Sequence, residues 1–371
     1  MKIVNGTVFD TEHDFVQKDV CIQDEYFVSD AEDQEELDAE GLYLIPGLTD
    51  IHFHGCMGHD FCEGSTEVIQ TIADYEASVG VTTICPATMT MSEETLIQIC
   101  EAAAAFENKT GAALVGINME GPFIAMSRKG AQNPEYIVPA SVALVDQLQK
   151  ISGGLVKLVD LAPEEPGAME FIEKEKGKIV LSLAHTAADY DIAKEALERG
   201  ASHMTHLYNA MNPIHHRQPG PILAAADTDY TEVEIICDNI HLHPAVVRNT
   251  LRMFGKNRVI FISDTMEAVG MPDGDYELGG QPVQKKGNLA TLADKTIAGS
   301  ATNLMDCMRI AVTKMEIPLE TAVRCAAVNP AKSIGIFDRY GSIEPGKFAN
   351  LVALDKDLNV KWIFNRGKKI K

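Results

Sequence analysis

The chain is short of positive charge. Its 371 residues hold 32 Lys and Arg against 54 Asp and Glu, a formal net charge of −22. Sequence-independent nucleic-acid binding relies on Lys and Arg neutralising phosphates, so this balance argues against it; a solvated acidic surface accounts for the excess. No apolar run approaches the ~18 residues of a membrane-spanning helix, and residues 1–20 carry Asp10, Glu12 and Asp14 in place of a signal peptide's apolar core. Neither a membrane partner nor export is expected. The eight cysteines, at 21, 56, 62, 85, 100, 237, 307 and 325, show no CxxC spacing and lie mostly in apolar segments, where thiols behave as small hydrophobes. That usage suits a reduced, cytoplasmic protein. The chain has no fixed-period repeat and no low-complexity tract.

What is present is alternation. Eight apolar runs read as strands: LTDIHFHG (48–55), VTTICPA (81–87), ALVGINMEG (113–121), VKLVDLAPE (156–164), IVLSLAHTA (179–187), HMTHLYNAM (203–211), VEIICDNIH (233–241) and VIFISDTM (259–266). Amphipathic stretches such as STEVIQTIADYEASVG and DYDIAKEALERG lie between most of them, which is the signature of parallel βα units. Eight such units close a (β/α)8 TIM barrel. The barrel is expected over 47–337, with a Gly-rich, β-rich insertion near 267–295 and helix returning over 300–335. The first 40 or so residues read as short strands, with Asn5-Gly6 as a hairpin signal and an acidic stretch, AEDQEELDAE, at 31–40. The C-terminal segment has the same character, so 1–46 and 338–371 are expected to form one small β-sandwich.

Active sites of such barrels are built at the C-terminal strand ends. Those ends carry His52 and His54, Glu120, His185, His206, His241 and Asp264. In an extended strand, residues two apart share a face, so His52 and His54 should converge. Each residue has a plainer use: Glu120 or Asp264 could cap the turn that follows, and His203 would serve strand six as well as His206. Together, imidazole and carboxylate form the ligand set of Zn²⁺, Fe²⁺ or Co²⁺. Such an ion lowers the pKa of bound water and polarises carbonyls, which suits a hydrolase, with Asp264 as general base and acid.

At this point the residues resemble the amidohydrolase superfamily. Within it, MEGPF (119–123), KGAQNP (129–134), AHTAAD (184–189), THLYNAMNP (205–213), HRQPG (216–220), SDTMEAVG (263–270) and IAGS (297–300) resemble the N-acetylglucosamine-6-phosphate deacetylases, as does GSIEPGKFANLVALD near the end. The resemblance implies hydrolysis of the acetamide of a phosphorylated N-acetylated amino sugar, in amino-sugar catabolism or wall recycling. It implies a divalent metal held by Glu120, His185 and His206, Zn first among Fe, Co and Mn, with a second ion where members carry the His52 and His54 pair. It makes Asp264 the catalytic acid/base, gives Asn209, Ala210 and His241 to the substrate, and makes Arg217 the cation that reaches the phosphate across a homodimer interface.

Two departures bear on these expectations. Asn239 stands where the family commonly has Gly; Asn tolerates a left-handed backbone, so the turn is expected to hold. Gln132 stands where some members carry a histidine that helps polarise the substrate carbonyl, so the resemblance implies that the metal and Gln132 share that task. Two other readings remain at the level of sequence: an N-acetylgalactosamine-6-phosphate deacetylase, differing at one hydroxyl, and a barrel without catalysis that serves as scaffold or sensor.

Overall fold

A computed structural model describes residues 1–30 and 35–371; positions 31–34, the start of the acidic stretch, lie outside the described residues. Its barrel strands run Leu48–Asp50, Val81–Ile84, Ile117–Phe123, Val156–Leu161, Val180–Leu183, His203–Met204, Glu232–Ile236 and Val259–Ile262. Neighbours in this order pair in parallel. Strand two is interrupted and resumes at Ala87–Thr88, which carries the pairing on to strand three. Closure between last and first strands comes from backbone bonds, Asp264 N–H to the His52 carbonyl at 2.9 Å and His54 N–H to the Thr265 carbonyl at 2.7 Å. This is the (β/α)8 barrel the alternation predicts. Its strands are buried on both faces and therefore read as nearly continuous apolar runs.

The connecting helices begin where the sequence offers a side-chain acceptor. Ser65, Ser92, Ser141 and Asp189 each accept a backbone N–H of the first turn, which satisfies a donor the helix cannot. Thr66–Val79 stops at Gly80 with φ of 97°. A Cβ there would lie 2.8 Å from Met305 Cε and 3.1 Å from Val352 Cγ2, so both backbone and space require glycine.

The ends of the chain form two further sheets. One orders Tyr26–Val28, Val20–Gln23, Lys2–Val4 and Glu36–Asp38; the other orders Lys368–Lys369, Val360–Asn365, Leu351–Leu354, Tyr43–Pro46, Thr7–Asp10 and Asp14–Gln17. Ile3, Val8, Ile22, Phe27, Leu44, Leu351 and Phe364 fill the space between them. Asn5-Gly6 does not make the expected hairpin, because Lys2–Val4 and Thr7–Asp10 belong to different sheets. Asn5 has φ of 61°, and a Cβ on Gly6 would sit 2.6 Å from Leu44 Cδ1; the dipeptide passes the chain from one layer to the other. Tyr43–Pro46 pairs antiparallel with Leu351–Leu354 and runs directly into barrel strand one.

The insertion is a three-stranded antiparallel meander, Gly274–Leu278, Gln281–Lys286 and Leu289–Thr291. Helical turns from Leu304–Thr313 to Asn329–Ser333 follow, and Ala331, Ile334 and Ile336 meet Ile51, Leu158, Ile236 and Ile262 in one apolar cluster. All eight cysteines are free and buried. Among the described residues, no helix is long and apolar enough to cross a membrane.

Gly80→Ala forces a side chain into a left-handed backbone, at a cost on the order of 1–3 kcal/mol. A lowered melting temperature with unchanged metal content is expected; a variant melting with the native protein would contradict this account of the turn.

Candidate metal centre

The regular part of strand one ends at Asp50, so His52 and His54 converge for a reason other than strand periodicity. The backbone bonds to residues 264 and 265 hold this segment, and the two rings lie 5.6 Å apart at 86°. Strands five, six and eight end in sharper turns. His185, His206 and Asp264 have φ of 44°, 29° and 52°, a region that side-chain-bearing residues avoid unless their surroundings compel it. The stretch after strand six, expected to stay extended to 211, leaves the sheet at Met204 and carries further positive φ at Tyr208 and Ala210. Each turn re-aims a side chain at the barrel axis.

Glu120 lies at the meeting point. Its Oε1 is 2.8 Å from His185 Nε2 and 3.0 Å from His206 Nε2, and these two nitrogens are 3.2 Å apart. Its Oε2 faces His54 Nε2 at 3.3 Å. Asp264 Oδ1 lies 3.2 Å from His54 Nε2 and 3.8 Å from His52 Nε2. Two groups thus have metal-ligating atoms within 4.8 Å of one another, Glu120–His185–His206 and His52–His54–Glu120.

These residues fit a cation. His185 Nδ1 donates to the Arg128 carbonyl at 2.8 Å, so in the neutral ring Nε2 is a lone pair aimed at a carboxylate and at a second imidazole. His52 Nε2 is buried with no hydrogen-bond partner. Such a gathering of lone pairs requires positive charge at its centre, and edges of roughly 3 Å match an ion with bonds of ~2.0–2.2 Å. The carboxylates respond to the same surroundings. Burial alone would raise Glu120, yet the imidazoles of His185, His206 and His52 gathered around it hold it well below the usual carboxylate range. Burial acts on Asp264 likewise and is outweighed by the bond to His54 and the nearby histidines.

Above the centre lies a cavity of about 390 Å³. Of the residues singled out in the sequence, His54, Glu120, Gln132, His185, His206, Asn209, Ala210, His241 and Asp264 line it. His52 sits beneath, fully buried. Arg217 does not line it; it lies on an exposed loop beside His216. His203 turns away from the centre toward Glu234 and Ser333, which leaves His206 as strand six's contribution. Gln132 accepts the Thr90 N–H at 2.7 Å and donates to Glu120 Oε2 at 2.7 Å, so its amide steadies that carboxylate. His241 is held by Asp238 at 2.7 Å through Nδ1, and Asn239 has the expected left-handed φ, 64°.

Three residues escaped the sequence reading. Asp238 orients His241, and Arg128 lines the cavity with its guanidinium bonded to Asn212. Glu234, wholly buried, bonds His52 Nδ1 at 3.0 Å; a charged residue inside the apolar run VEIICDNIH was the signal available for it.

The chain matches the amidohydrolase family over residues 43–370. It is 39% identical to the N-acetylglucosamine-6-phosphate deacetylase of Bacillus subtilis, over 87% of this chain and 83% of that protein. It is 34% identical to the N-acetylgalactosamine-6-phosphate deacetylase of Escherichia coli O157:H7, over 90% and 88%. A mutant N-acetyl-D-glucosamine-6-phosphate deacetylase from Mycobacterium smegmatis, solved in complex with N-acetyl-D-glucosamine-6-phosphate, superposes with a TM-score of 0.91 at 30% identity, covering 100% of this chain and 98% of that one. With its barrel, its converging histidines and these likenesses, the chain belongs to the amidohydrolase family.

Proposed function

We propose that this protein hydrolyses the acetamide of N-acetyl-D-glucosamine 6-phosphate to D-glucosamine 6-phosphate and acetate. The observation that carries the reading is the convergence of Glu120, His185, His206 and Asp264 at the floor of the cavity, in a chain whose relatives bear that activity in their names. On this reading Glu120, His185 and His206 hold a divalent ion, with zinc the first choice. His52 and His54, with Glu120, would hold a second. Bound there, the metal supplies Lewis acidity toward the amide carbonyl and toward water.

The chain's own groups do the rest. Asp264, an ionised carboxylate beside His54, accepts a proton from the attacking water. As the carbon–nitrogen bond breaks, it delivers that proton to the sugar nitrogen, releasing a neutral amine and acetic acid, which passes its remaining proton to the amine or to solvent to leave acetate. Gln132 keeps Glu120 oriented, while His241, Asn209 and Ala210 contact the sugar phosphate. The phosphate needs local positive charge in a chain of −22. Arg128, at the cavity wall, offers some within the chain, and Arg217 supplies more from the partner subunit of a homodimer, its planar fork suiting phosphate oxygens. The buried thiols suit a cytoplasmic setting, and residues 1–46 with 338–371 form a unit distinct from the barrel of 47–337.

Purified protein should release acetate from N-acetylglucosamine 6-phosphate. Chelator should abolish the release, and the unphosphorylated sugar or an Arg217→Gln variant should sharply reduce it. No release with Zn²⁺, Fe²⁺ or Co²⁺ present would overturn the assignment. The Escherichia coli relative gives weight to the galactosamine epimer as a second substrate reading, and a faster rate on that epimer would select it. Asp264→Asn should lower kcat by at least about 100-fold, in line with loss of a general acid–base, while substrate still binds; near-native kcat would remove Asp264 from this role.

A further inference from the structure

Of the four imidazoles at the centre, two have the outer nitrogen engaged. His185 Nδ1 donates to a neutral acceptor, the Arg128 carbonyl. His52 Nδ1 donates to a carboxylate, Glu234 Oε2, at 3.0 Å. The Nδ1 atoms of His54 and His206 are buried without hydrogen-bond partners. Glu234 lies on barrel strand seven with no solvent exposure, and its carboxylate is fixed from several directions. Oε2 also accepts the His206 backbone N–H at 3.2 Å, and Oε1 accepts from His203 Nε2 at 3.1 Å.

We propose that Glu234 is the positioning residue that decides whether the His52–His54 side of the centre holds an ion. By accepting from Nδ1, Glu234 fixes the ring so that Nε2 presents its lone pair to the gap between Glu120 Oε1, 3.7 Å away, and Asp264 Oδ1, 3.8 Å away. A carboxylate in that position makes an imidazole a stronger ligand and tethers it against rotation. It also answers a charge problem. Two divalent ions would face only Glu120 and Asp264 among the carboxylates that touch the cluster's ligating nitrogens, and Glu234 adds a third negative charge one imidazole further out. On the Glu120–His185–His206 side, the corresponding outer support is a neutral carbonyl. The two halves therefore depend on Glu234 unequally: ring orientation and charge are both at stake for His52, and one backbone N–H for His206.

The inference rests on the reading that a second ion binds at His52 and His54, and the experiment separates the two. Chelator-stripped full-length protein is titrated with Co²⁺, following visible absorption, with bound ions counted by mass spectrometry after desalting. The native chain should take up two ions. Glu234→Gln, which keeps size but not charge, should bind the first with near-native affinity and the second about 10–100-fold more weakly. His203→Gln leaves the Glu234–His52 contact in place and should still bind two. Where Glu234→Gln does not fold by circular dichroism, Glu234→Asp, which retains the charge but withdraws the carboxylate, should show the same selective weakening. Two ions bound with native affinity by either Glu234 variant overturns the proposal. Equal loss in His203→Gln also overturns it, because the polar layer as a whole would then be responsible. A single ion in the native chain overturns the second-ion reading itself.

Discussion

A carboxylate buried at the mouth of a barrel, facing four imidazoles, is the constraint from which the rest of this site follows. Glu120 is shielded from water and cannot remain ionised there without compensation. The compensation comes from histidines on strands one, five and six, which the chain can deliver only through strained turns at His185 and His206. Those turns in turn need support, from the Arg128 carbonyl on His185 and Glu234 on the His206 backbone, while Gln132 steadies Glu120 through Oε2. A network so mutually dependent resists piecemeal change, since a buried polar group whose partner is deleted is left with its full desolvation penalty.

The same constraint explains the layering of the barrel interior. Below the centre lies a polar belt of Asp50, Asn118, Asp160, His203 and Glu234, all buried. Burial pushes Asp50 up to about 7 and Asp160 up to about 8, whereas Glu234 is held at about 2, because the burial penalty is outweighed by His52 and His203. Carboxyls of one residue type-class thus divide according to whether an imidazole reaches them. Alongside the belt, Ile51, Leu158, Ile236 and Ile262 form an apolar cluster with Ala331, Ile334 and Ile336 of the C-terminal helical turns. Solvent reaches the centre through the cavity above it, where the insertion contributes Leu278.

The architecture was legible because it rests on periodicity and punctuation. Alternating apolar runs and amphipathic stretches ending in glycine specify the barrel, and β signals at both ends specify the sandwich. Candidate residues were legible where a polar side chain ended an apolar run, as Glu120, His185 and Asp264 do. Three things were not. Asn5-Gly6 carries the same local signal whether it links strands of one sheet or passes between two, and only the packing of Gly6 against Leu44 decides. The exact strand end at Met204 depends on turns whose positive φ values fall on His206, Tyr208 and Ala210, residues with no intrinsic preference for them. Glu234 and Asp238 act through other residues, so their meaning appears only when strand seven is set beside strands one and six.

The central claim is that Glu120 organises a metal centre between His185 and His206 on one side and His52 and His54 on the other. Anomalous diffraction from crystals grown with Zn²⁺ measures this directly. The account predicts one ion among Glu120, His185 and His206, and a second among Glu120, His52 and His54. An ion elsewhere in the barrel, or a Glu120 carboxylate that ligates nothing, would contradict it.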